Sequence, residues 1–404
     1  MRYITTTPVS LLDFVLTSLG LMIHLYYKSK FDTRGSYQIE YEMLKVTKGE
    51  NVHTEIFHRQ KKIRKLWVST SPNPYDTFTK KQRIGFMNSS GLILNDNDPC
   101  VIKARNAENN LFSYYGSEAK THYIAFGDFG YRIRVTEIGS GKPVIIVPGN
   151  TGDAFPLIPL MAQLTGRRII AINRPGGGMS DGMDHRNIDF RKFAVQTVIS
   201  VLDALELDSV PIIAHSIGGH MSILTAIDRP ERVSALVLLG VPGNLVSTSP
   251  PLALRVLSIP VLNRLLYTIV IPKKPDKSLE SLSFMGHSSD TLLKLPEELA
   301  DCYYYFQQLP NYKTSSLSFM QRINSLSGSR PDVLLHEEDL NCVKQPTMFL
   351  WGTNDPFGSV ETGGKIASCF QQPEFHTIQN AGHLPWLDSP EKCGSLAMKF
   401  IEQF

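Results

Sequence analysis

The chain has 404 residues, of which 42% are hydrophobic and 20% charged, and its formal net charge is +3. That length admits one large domain with additions, or two domains, and the composition is that of an ordinary globular protein. So slight a charge excess gives no footprint for nucleic acid, and five widely spread cysteines without a C-x-x-C pair argue against a disulfide framework or a zinc ribbon. The cysteines read as reduced thiols in a reducing compartment, which predicts a cytoplasmic protein.

Residues 1–115 read as an N-terminal extension. As a helix, residues 9–27 would place Asp13, Thr17, Gly20 and His24 on one narrow stripe, continued by Lys28, with Leu12, Val15, Leu16, Leu19, Met22 and Ile23 largely outside it. The pattern predicts an amphipathic helix that docks on protein or lies flat on a membrane as a peripheral contact. Asp13 opposes a bilayer span, and Lys28, Lys30 and Arg34 stand where a signal peptide would end in small residues. The basic run HRQKKIRKLW reads as a solvated helix face.

From residue 116 the pattern changes. THYIAF and YRIRVTEI predict two strands around GDFG, and VIIV predicts a buried third. Then RRIIAIN, a helix carrying Phe190, Phe193, Val198, Val201, Leu202 and Leu205 at helical spacing, VPIIA, a second helix and VSALVLLG alternate strand with helix. Such alternation predicts an α/β fold with a mostly parallel central sheet flanked by helices. Residues 116–242 are thus the first part of a core. Residues 243–340, proline-punctuated helical pieces rich in Leu, Tyr and Phe, read as an inserted helical cap. The core resumes over 341–404 with PTMFLWG, a helix near TGGKIASCF, a strand around EFHTI and a closing helix.

Two serines compete for attention. GMSDG around Ser180 satisfies G-x-S-x-G letter for letter, whereas AHSIG around Ser216 has alanine at the first position. A nucleophile at a sharp turn needs a strand entering, a helix leaving and small neighbours. Ser216 has all three, and Ser180 follows NRPGGGM, which is loop chemistry. A serine also needs a base and an acid that orients it. Asp355 stands just beyond the strand PTMFLWG and His383 in a turn after the next strand, giving the chain order Ser216, Asp355, His383. His215 and His220 flank Ser216 without a third metal ligand at any usual spacing, and the glycines 176–178 lack the Lys-Ser/Thr of a phosphate cradle. No cofactor and no metal are expected.

With VIIVPGN, NRPGGGMSDG, IIAHSIGG, LWGTNDPFG and NAGHLPWLDSPE in place, the chain from about residue 120 onward resembles the α/β-hydrolase fold superfamily in its branch with a helical cap. The resemblance implies Ser216 as nucleophile, His383 as base and Asp355 as its partner. It also implies an oxyanion hole from the backbone N–H groups of Asn150 and Ile217. Pro148 stands where the family usually has histidine, and Asn173 where it often has aspartate.

The leading expectation is a serine hydrolase of carboxylesterase or lipase type, acting on an ester or related acyl bond of a hydrophobic small molecule through an acyl-enzyme. Carbon–carbon bond hydrolysis, perhydrolysis and a non-catalytic small-molecule receptor are the alternatives. Ser216 excludes the epoxide and haloalkane chemistry that needs aspartate at that turn.

Overall fold

The computed structural model describes residues 92–127 and 130–404, together with four short backbone strands nearer the N-terminus. Contacts divide the chain into two units, Met1–Arg83 and Ile84–Phe404. In the first, Leu21–His24 pairs antiparallel with Lys45–Lys48, and Ser29–Phe31 with Tyr37–Ile39. The helix expected over 9–27 lies for the most part outside the described residues, and its piece Leu21–His24 is strand. The basic run is outside them too. No helix among the described residues is long and apolar enough to cross a membrane.

The second unit is built on an eight-stranded sheet. Its strands are β1 (Lys120–Ala125), β2 (Arg132–Ile138), β3 (Lys142–Val147), β4 (Arg167–Ile172), β5 (Val210–His215), β6 (Val233–Leu239), β7 (Thr347–Gly352) and β8 (Pro373–Ile378). Their order across the sheet is β8-β7-β6-β5-β3-β4-β2-β1. Pairing is parallel from β8 through β4, and β2 runs antiparallel to both β4 and β1. This is the mostly parallel sheet that the alternation predicts.

Side chains alternate across the sheet, so each strand feeds two cores. Ile145, Val147, Ile212, Ala214 and Leu238 share a core with the helices Phe190–Ala204 and Ile217–Asp228, and Trp351 lies in the same core against Gly363 of the helix Val360–Ser368. Val144, Ile146, Ile213, Val237, Leu239 and Leu350 join the other core with the closing helix Pro390–Ile401. Strands buried on both faces explain the unbroken apolar runs in the sequence.

A helix over Pro99–Tyr114 also belongs to this second core through Val101, Ala104, Ala107, Leu111 and Phe112. Asp98 caps it by accepting from the Cys100 N–H, and Pro99 occupies its first turn, where no N–H is needed. Glu108, buried on this helix, pairs with Arg134 of β2 at 3.0 Å. The boundary expected at residue 115 therefore falls inside the folded unit. Cap residues serve both cores: Leu299, Cys302 and Phe306 join one, and Phe319, Met320 and Ile323 the other.

Candidate active site

The chain reverses its direction of travel across the sheet between β3 and β5: from β3 it goes to β4 on one side, then to β5 on the other. Loops diverge there at the carboxyl ends of the strands and leave a crevice. Asn150 follows β3 and Ser216 follows β5, so both stand at this point. Asp355 and His383 follow β7 and β8 at the same end of the sheet.

Ser216 has φ 52° and ψ −123°, a conformation that a side-chain-bearing residue adopts only when its surroundings impose it. Strand β5 enters and the helix Ile217–Asp228 leaves. The sharpness of the turn brings Gly218 so close to β3 that a Cβ there would run into the Val147 and Pro148 carbonyl oxygens. That contact demands glycine at position 218, while position 214 needs only a small residue, and Ala214 is fully buried there.

Asp355 is fixed from three sides. Its Oδ1 accepts from the Phe357 N–H at 2.9 Å, and its Oδ2 from the Val241 N–H at 3.1 Å and from His383 Nδ1 at 2.8 Å. Donation from Nδ1 leaves His383 Nε2 as the ring's acceptor nitrogen. The Phe357 ring stacks on the imidazole, 4.1 Å between centroids. Ser216, His383, Asn150 and Ile217 all line one cavity of about 200 Å³, with Asp355 behind the histidine. The five residues named from sequence are thus brought together. Ser180 is elsewhere and fully occupied: its Oγ donates to the Asn173 carbonyl and accepts from the Arg134 N–H, both at 2.8 Å.

His215 and His220 do not face a common point. His215 Nε2 meets the His383 carbonyl at 3.2 Å, and His220 Nδ1 the Gly243 carbonyl at 2.8 Å. Burial pushes His220 down to about 4, and burial together with the neighbouring His383 pushes His215 well below the usual histidine range, so both are neutral at pH 7. Among the described residues no cluster of His, Cys, Asp or Glu has the makings of a metal site. All five cysteines are free thiols.

Sequence reasoning missed a second histidine–carboxylate pair. His287, from the cap, meets Asp388 Oδ2 through Nδ1 at 2.7 Å, with both side chains buried. The same Asp388 oxygen accepts from the Gly382 N–H at 2.9 Å, and His287 Nε2 accepts from the Leu384 N–H at 3.3 Å. Between them the His383 N–H donates to the Met285 carbonyl at 2.7 Å. Cap residues 285–287 and the core's Asp388 therefore hold residues 382–384 at every backbone N–H. Nothing at residue 287 marked this in the sequence, because its partner lies 101 residues away.

A family model described as the alpha/beta hydrolase fold matches residues 142–390. The chain belongs to this family. Among curated proteins, this α/β hydrolase is 25% identical over 296 residues to the 2-hydroxy-6-oxononadienedioate/2-hydroxy-6-oxononatrienedioate hydrolase 2 of Pseudomonas putida, covering 71% of this chain and 97% of the relative. Among solved structures, its fold is shared with a carboxylesterase of Bacillus subtilis at a TM-score of 0.59 and 15% identity, covering 75% and 98% of the two chains. It is shared as well with a meta-cleavage product hydrolase of Pseudomonas fluorescens at 0.56 and 21%, covering 70% and 97%.

Proposed function

We propose that this α/β hydrolase is a serine hydrolase that cleaves an ester or related acyl bond of an uncharged, hydrophobic small molecule. The observation that carries the reading is a serine at a strained strand-to-helix turn sharing its cavity with a histidine whose Nδ1 is held by a buried carboxylate. Ser216 Oγ attacks the carbonyl carbon while His383 Nε2 takes its proton, and Asp355 faces the imidazolium that forms. The N–H groups of Asn150 and Ile217 donate to the oxygen as it gains charge. His383 returns the proton to the leaving alcohol, and water, activated by the same nitrogen, releases the acid.

The cavity supports the choice of substrate. Val241, Leu254, Leu282, Met285, Met320, Ile323 and Phe357 line it, and among the described residues no lysine or arginine does. A second reading, carbon–carbon bond hydrolysis with the same residues, is favoured by the relative's name. That relative's substrate, a dienedioate, carries two carboxylates. Buried anions need paired cations, and among the described lining residues the one acidic or basic group other than histidine and tyrosine is the carboxyl of Asp153.

Fluorophosphonate labelling followed by parallel assays on p-nitrophenyl esters and on a 2-hydroxy-6-oxodienedioate tests both readings. Labelling of Ser216 with ester turnover is the expected result; turnover of the dioate alone would replace the ester reading with the carbon–carbon one. An unlabelled, inert protein would favour a receptor. Peripheral membrane contact through residues 9–27 is a separate proposal: a carbonate wash should release the protein, and retention in the pellet would contradict it.

A further inference from the structure

We propose that the part of the cavity bounded by Asn150, Asp153, Tyr303 and Tyr312 is a subsite for a hydroxyl-bearing group of the substrate, so that partial esters of polyols or esters of hydroxy acids are the preferred class. This rests on the reading of Ser216 as the nucleophile and adds what the rest of the substrate must carry.

Asp153 is 1% exposed, yet it lines the cavity; the Gly178 N–H and the Arg174 guanidinium are its polar neighbours in the protein, and neither of its carboxyl oxygens has a hydrogen-bond partner at good geometry. The side-chain oxygen of Asn150, three residues earlier on the same loop, is buried and unpartnered as well. Leaving such acceptors without a good partner is unfavourable, and native proteins keep few of them without a use. Across the cavity, Tyr303 and Tyr312 come from the cap. They line the same cavity as Asp153, and burial raises both tyrosines, so their hydroxyls keep their protons.

The character of the group that fits follows from charge. Burial raises Asp153 well above the usual carboxylate range, against the opposing charge of Arg174, and so favours the protonated form, which offers one O–H donor as well as acceptors. Tyrosine hydroxyls offer the same mixture. A ligand hydroxyl is the group that donates and accepts at once. An ammonium is disfavoured, because buried Arg174 lies within electrostatic reach of Asp153 with its Nη2 on the Asn150 carbonyl at 3.2 Å, and its charge would oppose a second cation. A carboxylate would find no lysine or arginine among the described lining residues to pair with directly, Arg174 Nη2 being on the Asn150 carbonyl.

The test compares kcat/KM within matched pairs: 2,3-dihydroxypropyl butanoate against propyl butanoate, and ethyl 3-hydroxybutanoate against ethyl butanoate. The expected result is a preference of tenfold or more for the hydroxylated member of at least one pair, expressed mainly in KM. Asp153→Leu should reduce that ratio to within twofold, and Asp153→Asn, which keeps a donor and an acceptor, should retain most of it. Because the ratio is taken within one protein, it is independent of how much of a variant folds. No preference in either pair, or an undiminished ratio in Asp153→Leu, would mean that Asp153 serves a structural water only and overturns the proposal. Should Asp153→Leu fail to fold, the wild-type ratios and the Asp153→Asn ratio still decide it. If the wild type neither labels with fluorophosphonate nor cleaves any ester, the nucleophile reading has failed and the subsite falls with it; labelling with equal rates in each pair sinks the subsite alone.

Discussion

The loop carrying Ser180 and the turn carrying Ser216 both present a buried serine among small residues, 0% and 8% exposed. They differ in what the hydroxyl does and in what the backbone endures. Ser180 Oγ satisfies one backbone donor and one backbone acceptor, tying β2 to the end of β4, and its φ is ordinary. Ser216 Oγ makes no such bond among the described residues, and its backbone is held at positive φ at the edge of a cavity. A serine that closes a hydrogen-bond account is structural. One held at positive φ at the edge of a cavity has the geometry a nucleophile requires, whatever the letters around it.

Four changes would break or sharpen that contrast. Ser216→Ala should lower ester turnover by roughly 10⁴- to 10⁶-fold, and adding His383→Ala should lower it little further, since the two act as one unit; stopped assays with a chromogenic ester measure this, and an active Ser216→Ala would end the assignment. Gly218→Val should force the turn away from the Val147 and Pro148 carbonyls and cost about 10²-fold in kcat through misplacement of Ser216, with a smaller effect on KM. Fluorophosphonate labelling rates would report the same loss.

The third concerns acid, to which both regions are exposed. His185, beyond the Ser180 loop, is pushed down to about 3 by burial and then by Arg174; His220 and His215 flank Ser216 and are lowered mainly by burial. The folded state holds these rings neutral, while the unfolded chain takes up protons below about 6.5. Stability is therefore complete above that pH and is lost as pH falls through the window toward 4, by up to about 1.4 kcal/mol per pH unit per histidine. Urea titrations at several pH values should show this slope, and His185→Gln should reduce it. The smallest effect is Ser180→Ala: leaving the Arg134 N–H and the Asn173 carbonyl unpaired should cost about 1–3 kcal/mol of stability, with turnover per folded molecule within twofold.

Much of this contrast was legible before any coordinates. A strand running into a helix at Ser216, and acidic and imidazole groups each following a strand, are local patterns, and local context separated the two serines. The sheet was legible for the same reason, since burial on both faces writes continuous apolar runs. The helix Pro99–Tyr114 was missed although Asp98-Pro99 is a helix start and Val101, Ala104 and Leu111 keep helical spacing; the low polarity contrast of its other positions hid the face. Glu108–Arg134, Asp153 with Tyr303 and Tyr312, and His287–Asp388 could not be read at all. Each joins residues that only the folded chain makes neighbours, and no periodicity records such a pairing.

The backbone contact between residues 285–287 and 382–384 has a consequence for anyone exchanging caps between members of this family. Gly382 approaches Met285, Gly286 and His287 so closely that a Cβ would not fit, and the hydrogen bonds described above fasten the two segments together. A graft cut at the nominal ends of the cap would replace one half of this fastening and keep the other. The transplanted cap would then arrive with the wrong seat for His383, and the chimera would fold around a histidine that no longer points where its parent's did. Cutting after Leu295, so that His287 and Thr291, which donates to Asp388 Oδ1 at 2.7 Å, travel with the host core, keeps these contacts together and leaves the remaining cap helices free to vary.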